Sequence, residues 1–381
     1  NCGVYGYGNG SGTCSGGQMC CWAPPPLPPQ SCAVSLSPNP ITVQAGSSVS
    51  VVMNQIYNGN GQPPPASYSC TGPYISSGSQ YASYSGGKVI GKSVGNATLG
   101  AFCGWDEFRT DITTPRIIFA IKCGASVPII VTPPSPWWQA INGDVISQGT
   151  ISSKVPTGLF FMLPGAGTYP GLAVYNSLGG FDFTNDNTTT GTPSQKGWLA
   201  ESPILSKKYG YLYYNNIIPT ATVFNDPSGG MAQGGTVSPD GYFYYKSTGN
   251  LTLTGNLTIP GTRKVILLVE GNLTINGNIQ ISNSGQAFFM ILTSGNTTID
   301  PSVTTLQGIY LTDGTLATGT GNRQLTIKGS TTALGGVTLQ RNLQNQNTTT
   351  PSEVFDFDPS LVMNYPKSLT RKRVVWKEVA P

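Results

Sequence analysis

The sequence predicts an all-β protein with a disulfide-stapled front and a coiled, repetitive body. Three observations carry this. All eight cysteines fall in the first third of the chain. Short alternations of apolar and polar residues, punctuated by Gly, Asn, Pro and Asp, recur through the rest. Between Val265 and Phe288 an apolar run, Gly-Asn and Thr-Ile return after about 23 residues, a solenoid-sized period.

Composition agrees. The 381 residues permit two or three domains. Gly (49) and Pro (30) are abundant, and Thr, Ser and Asn fill the polar positions, a palette of strands and turns. Charged residues are 9%, far below the roughly 25% of an ordinary soluble domain. A surface so poor in charge resists self-association weakly. No Asp, Glu, Lys or Arg precedes Lys88, and the segment 361–381 carries the whole formal +4.

The cysteines are Cys2, Cys14, Cys20, Cys21, Cys32, Cys70, Cys103 and Cys123. An even number, no histidine and no paired CxxC knuckles favour disulfides over zinc. Disulfides imply an oxidising, extracellular or cell-surface setting. Spacing leaves the pairing open, although Cys32 and Cys123 border one domain and are placed to tie its ends. No apolar stretch of about 20 residues is present, so no membrane-spanning helix is expected.

Residues 1–31 form a Cys/Gly/Pro-rich arm, either a pinned extension or a docking arm. APPPLPP within it is a stiff spacer. Residues 32–123 form a small β-domain. SLSPNPITVQAGSSVSV resembles the first strands of bacterial immunoglobulin-like domains, so an immunoglobulin-like β-sandwich is expected. The Cys…Trp…Cys spacing of a true immunoglobulin domain is missing, because Trp105 follows both internal cysteines. A Pro-rich linker is expected over 124–136, with prolines at 128, 133, 134 and 136.

The region 137–360 is expected to be a right-handed β-helix or solenoid. Each coil supplies short strands that pair with the coils above and below, about 4.8 Å away. Leu and Ile then face inward, with Thr and Asn outward. Gly-Asn suits the corners. TINGNI also reads as a hairpin turn, so corner and hairpin remain alternatives. YGYLYYN and GYFYYKS read as tyrosine-rich strands. Trp137, Trp138, Tyr242 and Tyr244 are candidates for an exposed glycan platform; ordinary cross-strand aromatic packing is the simpler reading. The segment 361–381 reads as a basic C-terminal strand or tail. In it Arg373, Val374, Val375, Trp376 and Lys377 are a candidate assembly strand, offered to a neighbour by β-augmentation or capping the solenoid.

Chemistry is sparsely encoded. Without histidine, triads that depend on it are excluded. No phosphate-binding or dinucleotide fingerprint is present, no cofactor is implied, and no nucleic-acid-binding fold accompanies the basic tail. Carboxylate hydrolysis needs only two acids. Candidates are Asp182, Asp186, Asp226, Asp240, Glu270, Asp300, Asp313, Glu353, Asp356 and Asp358. Solvated charges are the simplest reading of the FDFDP pair, and a non-enzymatic protein is expected. Eight N-x-S/T sequons occur, at Asn9, Asn96, Asn187, Asn250, Asn256, Asn272, Asn296 and Asn347.

WWQAINGDVISQGTISSKVP, the GNLTI-type coils and the terminal VVWKEVAP together resemble uncharacterised secreted surface proteins of bacteria, of the candidate-phylum type. The resemblance covers 137–381. It implies a displayed or assembled cell-surface role with no known reaction. The expectation is an extracellular structural protein that self-assembles into a filament or surface layer, with copies of itself as partners. A carbohydrate-binding or adhesive module that meets surface glycans is the alternative, and a carboxylate-based polysaccharide hydrolase or a lyase comes third.

Overall fold

A computed structural model describes residues 31–58, 63–109, 116–156, 158–165, 169–176, 180–183, 193–202, 209–282 and 286–370. The chain divides into two compact units, Asn1–Thr132 and Pro133–Pro381. Cys2, Cys14, Cys20 and Cys21, nearly all of the expected N-terminal arm, and Arg373–Lys377 lie outside the described residues, as do Asn9, Asp186 and Asn187.

Among the described residues the first unit holds nine strands: β1 (Ser31–Ser37), β2 (Ile41–Gln44), β3 (Ser48–Ser50), β4 (Val52–Asn58), β5 (Ser69–Ser77), β6 (Ala82–Ser85), β7 (Lys88–Gly91), β8 (Gly95–Arg109) and β9 (Arg116–Thr132). One layer has the order β2-β9-β8-β5, with β2 parallel to β9 and the others antiparallel. The other layer combines β1-β4 with β3-β7-β6, since only Val51 separates β3 from β4. Leu36, Ile41, Val43, Val89, Leu99, Val127, Ile129 and Val131 from both layers share one core. This is the expected immunoglobulin-like sandwich. Cys32–Cys123 joins β1 to β9 across the layers, and Cys70–Cys103 joins the paired strands β5 and β8.

The expected boundary at 123 needs correction. Residues 124–132 are the second half of β9, not linker. Ala125, Val127, Ile129 and Val131 alternate towards the core there. Pro128 costs the sheet little, because β2 begins to pair only at Ile129.

The second unit is a β-solenoid of about eight turns. Its first coil carries β10 (Trp138–Ile141), β11 (Val145–Ile146) and β12 (Ile151–Ser152). The next carries β13 (Met162–Leu163), β14 (Ala173–Tyr175) and β15 (Phe181–Asp182), and a third supplies β16 (Leu199–Glu201). Helix α1 (Tyr211–Ile217) follows, then β17 (Phe224–Asn225). The later coils carry β18 (Phe243–Ser247), β19 (Leu251–Thr254) and β20 (Leu257–Ile259); then β21 (Lys264–Val269), β22 (Leu273–Asn276) and β23 (Ile279–Ile281). After them come β24 (Phe288–Thr293) with β25 (Thr297–Ile299), β26 (Thr305–Thr312) with β27 (Leu316–Ala317), and β28 (Leu325–Ala333) with β29 (Val337–Thr338). The last described strand is β30 (Glu353–Asp356), followed by helix α2 (Pro359–Met363).

The coils do not stack in chain order. The main sheet runs β13-β10-β30-β28-β26-β24-β21-β18-β17. The last strand therefore pairs with the first, Trp138 opposite Glu353 and Ile141 opposite Asp356, in parallel. α1 belongs to the connection between the first group of coils and the far end of the stack. Its Tyr211, with Tyr214 and Ile217, packs on the main sheet's core. YGYLYYN was expected as a strand. It is helical because residues three apart bury one apolar stripe, leaving Leu212 outward.

VILLVEGNLTINGNIQI shows the logic of one coil. Val265–Val269 are fully buried, since the core lies on one side of β21 and helical segments cover the other. Leu273, Ile275, Ile279 and Ile281 then face inward in turn. β22 pairs in parallel with β19 and β25, and β23 with β20, so TINGNI turns a corner and closes no hairpin. The solenoid also outruns its expected end at 360. α2 and the turn that follows reach Thr370 and bury Leu361 and Leu369 in the same core.

Candidate functional site

Asparagines hold the corners. The Asn250 side-chain oxygen accepts the Asn272 N–H at 2.8 Å, Asn272 accepts Asn296 N–H at 2.8 Å, and Asn296 accepts Thr315 N–H at 2.8 Å. A second ladder runs from Asn256 to Asn278 N–H, and from Asn278 to the N–H groups of Thr304 and Thr305. Each amide satisfies backbone that leaves one strand before the next begins. Four sequon asparagines are thus corner parts. Asn347 is fully buried, and its amide donates to Pro134 O and Asn342 Oδ1. A glycan has no room there.

Beside the first ladder, β19, β22, β25, β27 and β29 form a five-stranded face. Thr252, Thr274, Thr298, Ala317 and Thr338 stand in one register column, alternating with inward Leu273, Ile275 and Leu316. Its strands carry no charged residue.

The two ends of the coil stack are also candidates. Among the described residues β17 pairs only with β18 and presents one unpaired edge. At the other end Met162 N–H of β13 donates to Pro193 O of the third coil, whose β16 pairs only with β14 and carries the open edge there. Around β17 the apolar side chains of Val223, Phe224 and Val237 are exposed, Phe224 by 44%. Leu159, just before β13, is exposed as well.

The expected glycan platform does not form. Trp137 is 2% exposed and donates its indole N–H to Asn347 O. Tyr244 is fully buried, with its hydroxyl donating to Asp240 at 2.8 Å, and buried Tyr242 donates to Asn364 O. Burial pushes both phenols up from their ordinary pKa. Trp138 is half-buried, edge-on to Phe161 and Phe355, with its indole on Ser152 O. The physical reason is the 359–370 segment, which covers the outer side of the main sheet where Tyr242 and Tyr244 stand.

The described carboxylates serve turns, caps and ion pairs. Asp226 accepts Ser228 N–H and Asp300 accepts Ser302, and these bonds hold both below the usual range. Asp313 accepts the Tyr211 N–H at the start of α1. Asp182 pairs with Lys154, and Glu270 lies 3.9 Å from Lys246. Asp358 caps α2 through Ser360 N–H and lies 3.9 Å from Lys328. Burial raises the Asp356 pKa, Lys328 opposes the rise, and Asp358 adds to it. Among the described residues no three acidic or cysteine side chains converge as metal ligands would.

One exposed aromatic pair lies outside the sequence candidates. Tyr169 and Trp198 are 67% and 40% exposed, with ring centroids 5.8 Å apart and planes 20° from parallel. A signal existed: GAGTYPG and QKGWLAE place each ring in a corner segment, where side chains face solvent.

Fold and faces together define an all-β protein, an immunoglobulin-like unit followed by a non-sequentially stacked β-solenoid. Two disulfides among the described residues fit an oxidising setting, and no described helix is long and apolar enough to cross a membrane. Neither a protein-family model nor a curated protein matches the chain. Among solved structures, it is similar to the crystal structure of an ice binding protein from an Antarctic biological consortium. That match has 13% identity, a TM-score of 0.31, and coverage of 59% of this chain and 91% of that one. A likeness at that level carries no functional argument.

Proposed function

We propose that this protein is an extracellular structural component, displayed on the cell surface, whose copies associate end to end through the solenoid. The observation that supports this is the open strand at each end of a wholly parallel coil stack among the described residues, β17 at one end and β16 of the third coil at the other. A second copy in the same orientation continues the ladder. Such a heterologous contact does not close on itself and propagates as a filament. The exposed Val223, Phe224 and Val237 and the low charge favour the contact over repulsion.

Arg373–Lys377 is the second element of this reading. The described chain ends at Thr370, just past Ser368, which bonds Asp240 and approaches the Tyr244 hydroxyl on the coil beside β17. The tail thus departs close to an open edge, and its alternating sequence suits an added strand. Light scattering and electron microscopy of the native protein, of Phe224→Lys and of a chain cut after Thr370 test the reading. Long particles in the native protein and short or single ones in both variants are expected. A monodisperse single chain at every concentration would sink it. The cut falls after Thr370 because an earlier one removes Leu369 from the core.

A further inference from the structure

We propose that Tyr169 and Trp198 form a lateral binding platform for a neutral polysaccharide of hexopyranose units. The two rings come from successive coils at one corner. In the first coil that corner is Asn142-Gly143-Asp144, between β10 and β11. In the next it is the segment between β13 and β14, which carries Tyr169. In the third it leads into β16 and carries Trp198. Register fixes the succession: Val145 pairs with Ala173, and Ala173 with Leu199. Asp144 Oδ1 ties the first two corners by accepting Leu172 N–H at 2.9 Å.

The rings stand one coil apart and nearly parallel because their coils do. Large aromatic rings this exposed leave apolar surface in water that burial elsewhere in the unit would recover. Phe161, Phe181 and Phe183 of these coils instead stack on one another at the solenoid core, with Tyr175 edge-on to Phe181. A pyranose presents an apolar face of axial C–H groups that matches a ring face, and its hydroxyls point sideways. Exposed Asp144, Gln195 and Lys196 share this corner and offer both acceptors and donors for those hydroxyls. The two rings stack on one another, which fixes them and leaves their outer faces and edges to an extended sugar chain that passes the corner. The platform lies on a corner of the second and third coils, at the end of the stack opposite β17, so it is tested in chains whose end-to-end association is blocked.

Affinity electrophoresis tests this, in native gels cast with hydroxyethyl cellulose, glucomannan or dextran. It is run on the Phe224→Lys background, so that failure of association does not confuse the result. Retardation by at least one polymer is expected, with at least a tenfold weaker response for Trp198→Ala and for Tyr169→Ala. Trp198→Phe, which keeps a ring, is expected to recover most of it, and Leu212→Ala on exposed α1 to change nothing. No retardation in any gel, or equal retardation of Trp198→Ala, would overturn the proposal. So would loss in Trp198→Phe equal to that in Trp198→Ala.

Discussion

The Glu353 carboxylate accepts the backbone N–H of Arg341 at 2.9 Å, and both side chains are buried in the solenoid. The same oxygen accepts Thr318 Oγ1 and Gln340 N–H. The Arg341 guanidinium donates to the carbonyls of Thr318, Pro301 and Asp300, on two earlier coils. One buried charge thus clamps three turns of the stack, and Glu353 opposite Trp138 marks where the last coil meets the first. Replacing Arg341 by Leu strands these carbonyls and leaves Glu353 without its counter-charge. A loss of about 3–5 kcal/mol is expected in chemical denaturation of the solenoid.

Glu353 itself predicts a pH dependence. Burial raises its pKa above the ordinary carboxylate value, and its hydrogen bonds and Arg341 only partly oppose the rise. The folded state therefore holds the proton more tightly than the unfolded one. This contribution is fully present below the unfolded pKa of about 4.3 and is lost as pH rises through the higher folded value. Glu353→Gln, neutral throughout, should show a less negative slope of stability against pH in that window. Denaturation midpoints of both proteins across the window measure it, and parallel curves would refute the assignment.

The corner ladder predicts a graded pair of substitutions. Asn272→Ala removes the acceptor for Asn296 N–H but leaves its own N–H on Asn250. The corner is exposed, so water recovers part of the loss, and about 1 kcal/mol is expected. Asn272→Asp keeps an acceptor at the same place and should cost less. Equal losses would mean that the amide's donor side holds the corner instead. Where a host glycosylates this chain, peptide mass mapping should find Asn347 unmodified.

Much of this architecture is legible in the sequence because it is local. Leu273 and Ile275 alternate with Thr274, and Gly-Asn follows each run, since a coil needs only inward apolar groups and a corner acceptor. The bordering positions of Cys32 and Cys123 likewise anticipate their bond. Illegible features depend on distant choices. Nothing near Trp138 announces Glu353 as its neighbour, because any open parallel edge satisfies either strand. Tyr211–Ile217 has β-favouring residues, and only the apolar stripe it lays on the main sheet makes it helical. The burial of Tyr242 and Tyr244 cannot be decided locally because Leu361 and Leu369, which cap that side of the sheet, lie more than a hundred residues away.

Reduction should affect one unit only. Among the described residues both disulfides lie in the first unit. Cys32–Cys123 spans 91 residues and Cys70–Cys103 spans 33. Loop-closure entropy then assigns about 4.6 kcal/mol to the first and about 3.7 kcal/mol to the second. Calorimetry with a reductant should lower the sandwich transition strongly and leave the solenoid transition in place. Replacing Cys32 and Cys123 by Ala should cost more than replacing Cys70 and Cys103.

Two glycines separate steric contact from backbone strain. Gly308 and Gly329 are register partners where β26 and β28 turn between faces, with φ of 135° and 140°. A Cβ on Gly329 would stand 2.0 Å from Gly308 O, on backbone that neighbouring strands hold on both sides. Gly336 also has a positive φ, 103°, but nothing lies within 4 Å of a Cβ there. Gly336→Ala should therefore cost only the conformational strain, about 1–2 kcal/mol. Gly329→Ala adds a clash that two coils must separate to relieve, and should cost roughly 3 kcal/mol or more. Urea midpoints of the two variants measure the difference. If Gly329→Ala is no worse than Gly336→Ala, the corner is looser than the parallel register of β26 and β28 requires.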